Sequence, residues 1–366
     1  MEVPLADLKT QYLDLRAELL EAVDCALTSM QLNLGPNLLA LEDEWAQYCD
    51  AKYGIGVGNG TEAISLGLKA LGVGPGDEVI TVSWTFIATI EAIVHVGATP
   101  VVVDIDPDTY CMDPACVQAA ITDKTRVVLP VHVFGHPADI DAIAEAVGPR
   151  EISILEDAAQ SHGALYKGRR TGSLGTAATF SFYLTKNLGG YGEGGMVTTS
   201  SDDVADSLRL LRNHGHVSKY EHQVIGYNGR LDEVQAAMLR VKFRYLEEWN
   251  RRRRELAAMY NERLADLPVV TPYEAEWAQH VYHLYPIRTD KRDELARALA
   301  EAQIGHSLHY QAPPHTQQAC APYGLNEAHL PVTMDLAKKV IQLPMHTLLT
   351  EEQVDYVCDV VRKTVS

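Results

Sequence analysis

The sequence predicts an α/β protein, with a large domain on a mostly parallel central sheet and a smaller C-terminal α/β domain. Three observations predict it. Short Val- and Ile-rich runs are apolar throughout rather than alternating, as in strands covered on both faces. Helical stretches separate successive runs, as in βαβ units. After residue 160 this rhythm changes, and the last hundred of the 366 residues carry their own strand and helices, enough chain for a second domain.

In chain order, Leu15, Leu19, Val23 and Leu27 recur every four residues and predict one face of an amphipathic helix, broken by Gly35-Pro36. Leu38, Leu41, Trp45 and Tyr48 predict a second helix. Strands follow at 54–58, 78–82, 100–104, 126–134 and 151–157, with helices from about Thr61, through 87–96, near 113–122 and near 137–147. Strand-like segments at 178–182 and 195–200 flank a glycine-rich stretch, and helices run through 202–212 and from Leu231 to about 265. A strand-like segment at 281–289 and helices at 291–302 and 351–363 complete the chain. We expect the large domain over 1–250 and the small one over 251–366, with Pro268 and Pro272 near the junction.

The charge balance of 31 − 49 = −18 argues against nucleic acid, whose backbone is held by surplus Lys and Arg. No apolar run approaches a membrane span, and residues 1–12 contain no basic segment followed by an apolar stretch. Six scattered cysteines without a CxxC pair fit reduced thiols better than disulfides or a metal site. The expectation is a cytoplasmic protein with neither membrane nor metal.

Four local features could carry chemistry. Gly58-Asn59-Gly60-Thr61-Glu62 joins a strand to a helix, where backbone amides and the helix dipole suit a phosphate. Alone, it reads equally as a tight turn capped by Thr61. Glu156-Asp157-Ala158-Ala159-Gln160 lies at the carboxyl end of a strand, where α/β sheets bind ligands, although capping would also explain Asp157. Lys186 sits in a segment with few neighbouring charges, so it is either a surface lysine or an amine of lowered proton affinity. Gly226-Tyr227-Asn228-Gly229-Arg230 alone is a turn. In order, a phosphate cup, an acid and a lysine 29 residues later are what a pyridoxal-phosphate enzyme needs: an anchor, a partner for the ring nitrogen and an amine.

The segments 58–89, 101–114, 128–143, 156–170, 180–197 and 226–239 together resemble the DegT/StrS-type sugar aminotransferases, which have the type I pyridoxal-phosphate fold. The resemblance makes Lys186 the amine that binds the cofactor and moves the proton, Asp157 the partner of the ring nitrogen, and Gln160 the partner of the ring's phenolic oxygen. It gives the phosphate to Gly60, Thr61 and Ser181, and to Asn228 of a neighbouring subunit, hence a homodimer with shared sites. Trp84 falls where the family places an aromatic ring over the cofactor, while Tyr183, Arg230, His309 and Tyr310 match positions lining the sugar or nucleotide side. His162 reads as a supporting residue, His95, His132 and His136 as structural ones, and Arg251 to Arg254 as a solvated helix face.

The resemblance implies an amino-acid donor, L-glutamate, a nucleotide-linked keto sugar as acceptor, and a ping-pong cycle through pyridoxamine phosphate. The wording of 186–195 is closer to members acting on 3-keto sugars, and Tyr183 stands where 4-keto members more often have histidine. A 4-keto sugar, a keto-cyclitol, or a regulatory role without turnover are the alternatives. Departures from the family pattern are Ser29 to Pro36, which lacks an aromatic residue and a glycine, and Leu184-Thr185 before the lysine.

Overall fold

A computed structural model describes residues 1–325 and 330–366. Two helices lead in, α1 (Leu8–Ser29) and α2 (Pro36–Tyr48). Leu38, Leu41 and Trp45 of α2 are buried as their spacing predicts, but on α1 only Leu15 and Leu19 of the expected face are, and Leu27 stays 43% exposed. Glu233 fixes the start of α2, since its carboxylate accepts the Asn37 and Leu38 amides at 2.7 and 2.9 Å, groups that a helix N-terminus leaves unpaired.

The central sheet has seven strands: β1 (Tyr53–Val57), β2 (Glu78–Val82), β3 (Thr99–Val103), β4 (Thr125–Leu129), β5 (Ser153–Asp157), β8 (Ala177–Ser181) and β9 (Gly195–Thr199). Their order is β1-β9-β8-β5-β4-β2-β3, with β9 antiparallel to both its neighbours and the other pairings parallel. Helices α3 (Gly60–Ala70), α4 (Ala88–His95), α5 (Pro114–Ala120), α6 (Ile140–Val147) and α7 (Asp202–Arg212) connect or flank these strands. β2, β5 and β9 are buried beyond their first residues and β4 from Val127 onward, as expected of strands covered on both faces. Short strands β6 (Leu165–Tyr166) and β7 (Arg169–Arg170) form a small hairpin outside this sheet. Edge strand β1 is pinned by a buried ion pair, in which Arg212 bonds Glu42 and the Gly56 carbonyl while Glu42 accepts the Gly56 amide.

After the hairpin β10 (His216–Ser218) and β11 (Glu221–His222), the helical stretch expected as one is two, α8 (Glu233–Phe243) and α9 (Leu246–Leu264). The expected boundary after residue 250 falls inside α9, whose Leu246 packs with the large sheet and whose Leu256, Ala257, Tyr260 and Leu264 pack with the C-terminal elements. That part comprises β13 (Tyr285–Arg288), α10 (Arg292–Glu301), β14 (Val340–Leu343) and α12 (Glu351–Val365).

Three pieces cross between the halves. Val3 packs into the C-terminal cluster, β12 (Ala278–Gln279) pairs with β6, and α11 (Pro331–Lys339) is capped by Asp104 of the large sheet, which accepts the Val332 and Thr333 amides at 2.8 and 2.9 Å. Packing therefore does not divide the chain by sequence position alone. The sequence reading missed α11 and β14, because both are short and adjoin without a turn signal.

Among the described residues no helix is long and apolar enough to cross a membrane, and no three His, Cys, Asp or Glu side chains could hold a metal.

Candidate active site

The ends of β1, β5 and β8 and the N-terminus of α3 open into one cavity of about 1020 Å³. Gly60, Thr61, Asp157, Gln160, Ser181, Tyr183, Lys186, His309 and Tyr310 all line it. The sequence places them up to 250 positions apart, and the sheet topology collects them at one rim, where open α/β sheets bind ligands.

The phosphate cup forms because α3 begins directly after β1. Asn59, not Thr61, is the cap: its side chain accepts the Glu62 amide at 2.8 Å and its carbonyl the Ala63 amide at 2.9 Å. The Gly60 and Thr61 amides have no such partner among the described residues, and both residues line the cavity. A Cβ on Gly60 would lie 2.6 Å from that of Ser181, so only glycine lets the helix end come this close to the serine. The Ser181 hydroxyl accepts the Tyr183 amide at 3.3 Å and keeps its proton free to donate.

Asp157 ends β5 and is buried. One carboxylate oxygen accepts the Thr89 hydroxyl at 3.0 Å and the other the Ala159 amide at 3.2 Å. Burial pushes its proton affinity up, against those two bonds and the charge of Lys186. Burial likewise brings the Lys186 amine down to about 8, opposed by Asp157. Gln160 accepts the Phe134 amide at 2.6 Å and donates to the Tyr310 hydroxyl at 3.1 Å, so its amide is oriented before any ligand arrives. Tyr310 and His309 are each held mostly in the neutral form by burial. His162 is buried among Trp45, Phe180 and Phe182.

Glu156 points away into a different environment. It accepts the amides of Gly172, Leu174 and Gly175 at 3.0, 2.8 and 2.9 Å, and its fourth partner is His132 Nε2 at 3.0 Å. His132 Nδ1 accepts the Ala138 amide, so Nε2 carries the proton and donates.

Two expected residues, Trp84 and Arg230, do not line this cavity, while Asn228 is the one expected to serve a neighbouring subunit. Trp84 is fully buried, stacked near Tyr110 and edge-on to Phe134, and does not line the cavity. The aromatic that this segment presents to the cavity is Phe86, 62% exposed: strand alternation ends at Val82, so the turn that follows decides which of its two rings emerges. Arg230 donates to Asn213 at 2.9 Å rather than lining the cavity, and Asn228 is exposed and bridged to Asn213. Tyr227, Arg253 and His283 line the cavity and were missed. Arg253 was read as part of a solvated face, yet it lies on a buried stripe with Asn250, Leu256, Ala257 and Tyr260, a helical spacing visible in the sequence.

A cup of helix amides and hydroxyls, a buried carboxylate and a lysine of lowered proton affinity fit pyridoxal phosphate: anion acceptor, ring-nitrogen partner and amine are all present. Fold and site together define a type I pyridoxal-phosphate-dependent aminotransferase.

Residues 13–362 match the DegT/DnrJ/EryC1/StrS aminotransferase family, and the chain belongs to it. Similar solved structures include the pyridoxal-phosphate and pyridoxamine-phosphate forms of a putative sugar aminotransferase from Streptococcus pneumoniae, 28% identical. A Geobacillus stearothermophilus relative described as a pleiotropic regulatory protein is 48% identical over 98% of this chain and 97% of its own. The dTDP-3-amino-3,4,6-trideoxy-alpha-D-glucose transaminase of Streptomyces venezuelae is 45% identical over 99% of this chain and 96% of its own. The crystal structure of S. venezuelae DesV in complex with a ketimine intermediate superposes with a TM-score of 0.96 at 45% identity, covering 99% of this chain and 98% of that one.

Proposed function

We propose that this enzyme moves an amino group from L-glutamate to a nucleotide-linked sugar bearing a ketone at carbon 3, in two half-reactions that share one cavity. The observation that carries the reading is the pairing there of Lys186, brought down to about 8, with the buried Asp157 carboxylate. When bound, pyridoxal phosphate supplies an electron sink for the substrate carbon that loses a proton. Lys186, poised near neutral pH, takes that proton and returns it. Asp157 holds the ring nitrogen, Gln160 the phenolic oxygen, and Gly60, Thr61 and Ser181 the phosphate.

Phe86 and Tyr183 offer partly exposed ring surface to the ring system or the sugar. His309 and Tyr310 line the same space as neutral hydrogen-bonding groups for sugar hydroxyls. In this reading a homodimer completes the site: Asn228 follows a stretch whose Val217, Tyr220, Val224 and Ile225 are exposed, apolar surface suited to a second copy. The six free cysteines accord with a reducing, cytoplasmic setting.

Support for carbon 3 comes from the Lys186 to Gly195 wording and from the S. venezuelae relative's 3-amino product. The test is to offer matched 3-keto and 4-keto nucleotide sugars and identify the product by NMR. Amination of the 4-keto sugar alone would overturn the assignment. The regulatory name of the G. stearothermophilus relative favours a second reading, a binding protein without turnover. Titration with glutamate separates them, because an aminotransferase converts its cofactor absorbance to that of the amine form and a binding protein does not.

A further inference from the structure

One cation in the cavity has no counter-charge. Arg253 lines it while only 8% exposed. Its Nη1 donates to the carbonyls of Tyr282, His283 and Met345 at 3.0, 3.3 and 3.0 Å, which fixes the guanidinium in place. Among the described residues Nε and Nη2 donate to nothing, and no carboxylate lies within ion-pair distance. Burial lowers its proton affinity to about 10, so it remains charged at neutral pH.

Its place relative to Lys186 follows from the hydrogen bonds. Asn187, the residue after the lysine, donates to Asn250 at 2.9 Å and meets His283 Nδ1 at 3.2 Å. Arg253 lies three residues beyond Asn250 on the same helix, about 4.5 Å further along its axis, and holds the His283 carbonyl. Leu5, Leu284 and Met345 are among the apolar residues lining the same cavity. A fixed guanidinium with unpaired N–H groups, lining the same cavity as the reactive amine, suits a carboxylate on a short aliphatic stem. A pyrophosphate borne by a nucleotide is the other anion available, but so buried a group suits the smaller one.

We propose that Arg253 binds a carboxylate of the amino-acid donor and so forms the donor's anchoring point in the cavity. This rests on the reading that an amino-acid donor enters this cavity.

The test compares the cofactor-loaded wild type with Arg253→Met and Arg253→Lys. Calorimetry measures binding of glutarate, an unreactive dicarboxylate, and of a nucleoside diphosphate, and stopped-flow measures the glutamate half-reaction. Glutarate affinity and the apparent affinity for glutamate should fall on the order of 30-fold in Arg253→Met and about tenfold in Arg253→Lys, with nucleotide affinity unchanged. Arg253→Lys keeps a donor for the three carbonyls, so it decides the matter alone if the methionine variant does not fold. Unchanged glutarate affinity, or a loss confined to the nucleotide, overturns the proposal. A wild type that binds glutarate through Arg253 but is not converted by glutamate would refute glutamate as donor and leave the anchoring site standing.

Discussion

Glu156 and Asp157 are consecutive residues at the end of β5, and both carboxylates are buried. Because strand side chains alternate, they face opposite sides of the sheet. Glu156 has its oxygens taken by three amides and the His132 ring, all from this chain. Asp157 has one amide and one hydroxyl, a cationic amine nearby, and room at the cavity for more. A buried carboxylate with its acceptor capacity filled is a structural bolt, whereas one with capacity left over is a site awaiting a cation.

Substitutions should separate the two sides. The largest effect is expected at the amine: Lys186→Ala should lower turnover at least about 10,000-fold while circular dichroism and the melting temperature stay near wild type. Completion of both half-reactions by this variant would break the assignment. Asp157→Asn should lower turnover about 100-fold or more with little loss of stability, since an amide suits an apolar setting better than a buried charge. Glu156→Gln should do the reverse, costing about 3 kcal/mol in denaturant unfolding because an NH₂ group would then face amide donors. Matching phenotypes for the pair would erase the distinction.

The lysine also sets a pH signature. With its affinity lowered from 10.5 to about 8, the neutral amine fraction rises about tenfold per pH unit up to about pH 8 and then levels. Capture of pyridoxal phosphate by cofactor-free enzyme should follow that curve. Between about 8 and 10.5 the folded chain binds fewer protons here than the unfolded one, so this group adds stability as pH rises through that window. A capture rate flat from pH 6 to 9 would contradict the lowered affinity. The smallest effects concern the two aromatics. Phe86→Ala should weaken cofactor retention about tenfold with stability unchanged. Trp84→Leu should cost about 2 kcal/mol of stability and leave turnover intact, and the opposite result would return the tryptophan to the cofactor.

The sheet was legible because β2, β4 and β5 are covered on both faces over their Val- and Ile-rich residues, which do not alternate with polar ones. Lys186, Asp157 and the α3 cup were legible because their chemistry depends on residue type and order. Trp84 was misplaced because the ring that reaches the cavity is chosen by backbone direction after Val82, which composition does not encode. Arg253 was hidden by its three arginine neighbours, whose run masked the helical stripe on which it falls. Crossing segments such as Val3 depend on contacts with residues 300 positions away, and no local pattern announces them.

Strand β1 has a further consequence, for assembly. In the central sheet it pairs only with β9, so Tyr53–Val57 waits for residues 195–199 before it has a neighbour, and a Cβ on Gly195 would strike the Asn59 carbonyl at the mouth of the cup. Such long-range pairing is late and slow in folding. The N-terminal amides of α3 therefore come into register only once the antiparallel strand has closed the sheet. Acquisition of cofactor by a refolding chain should lag the gain of helix signal and mark completion of the sheet itself.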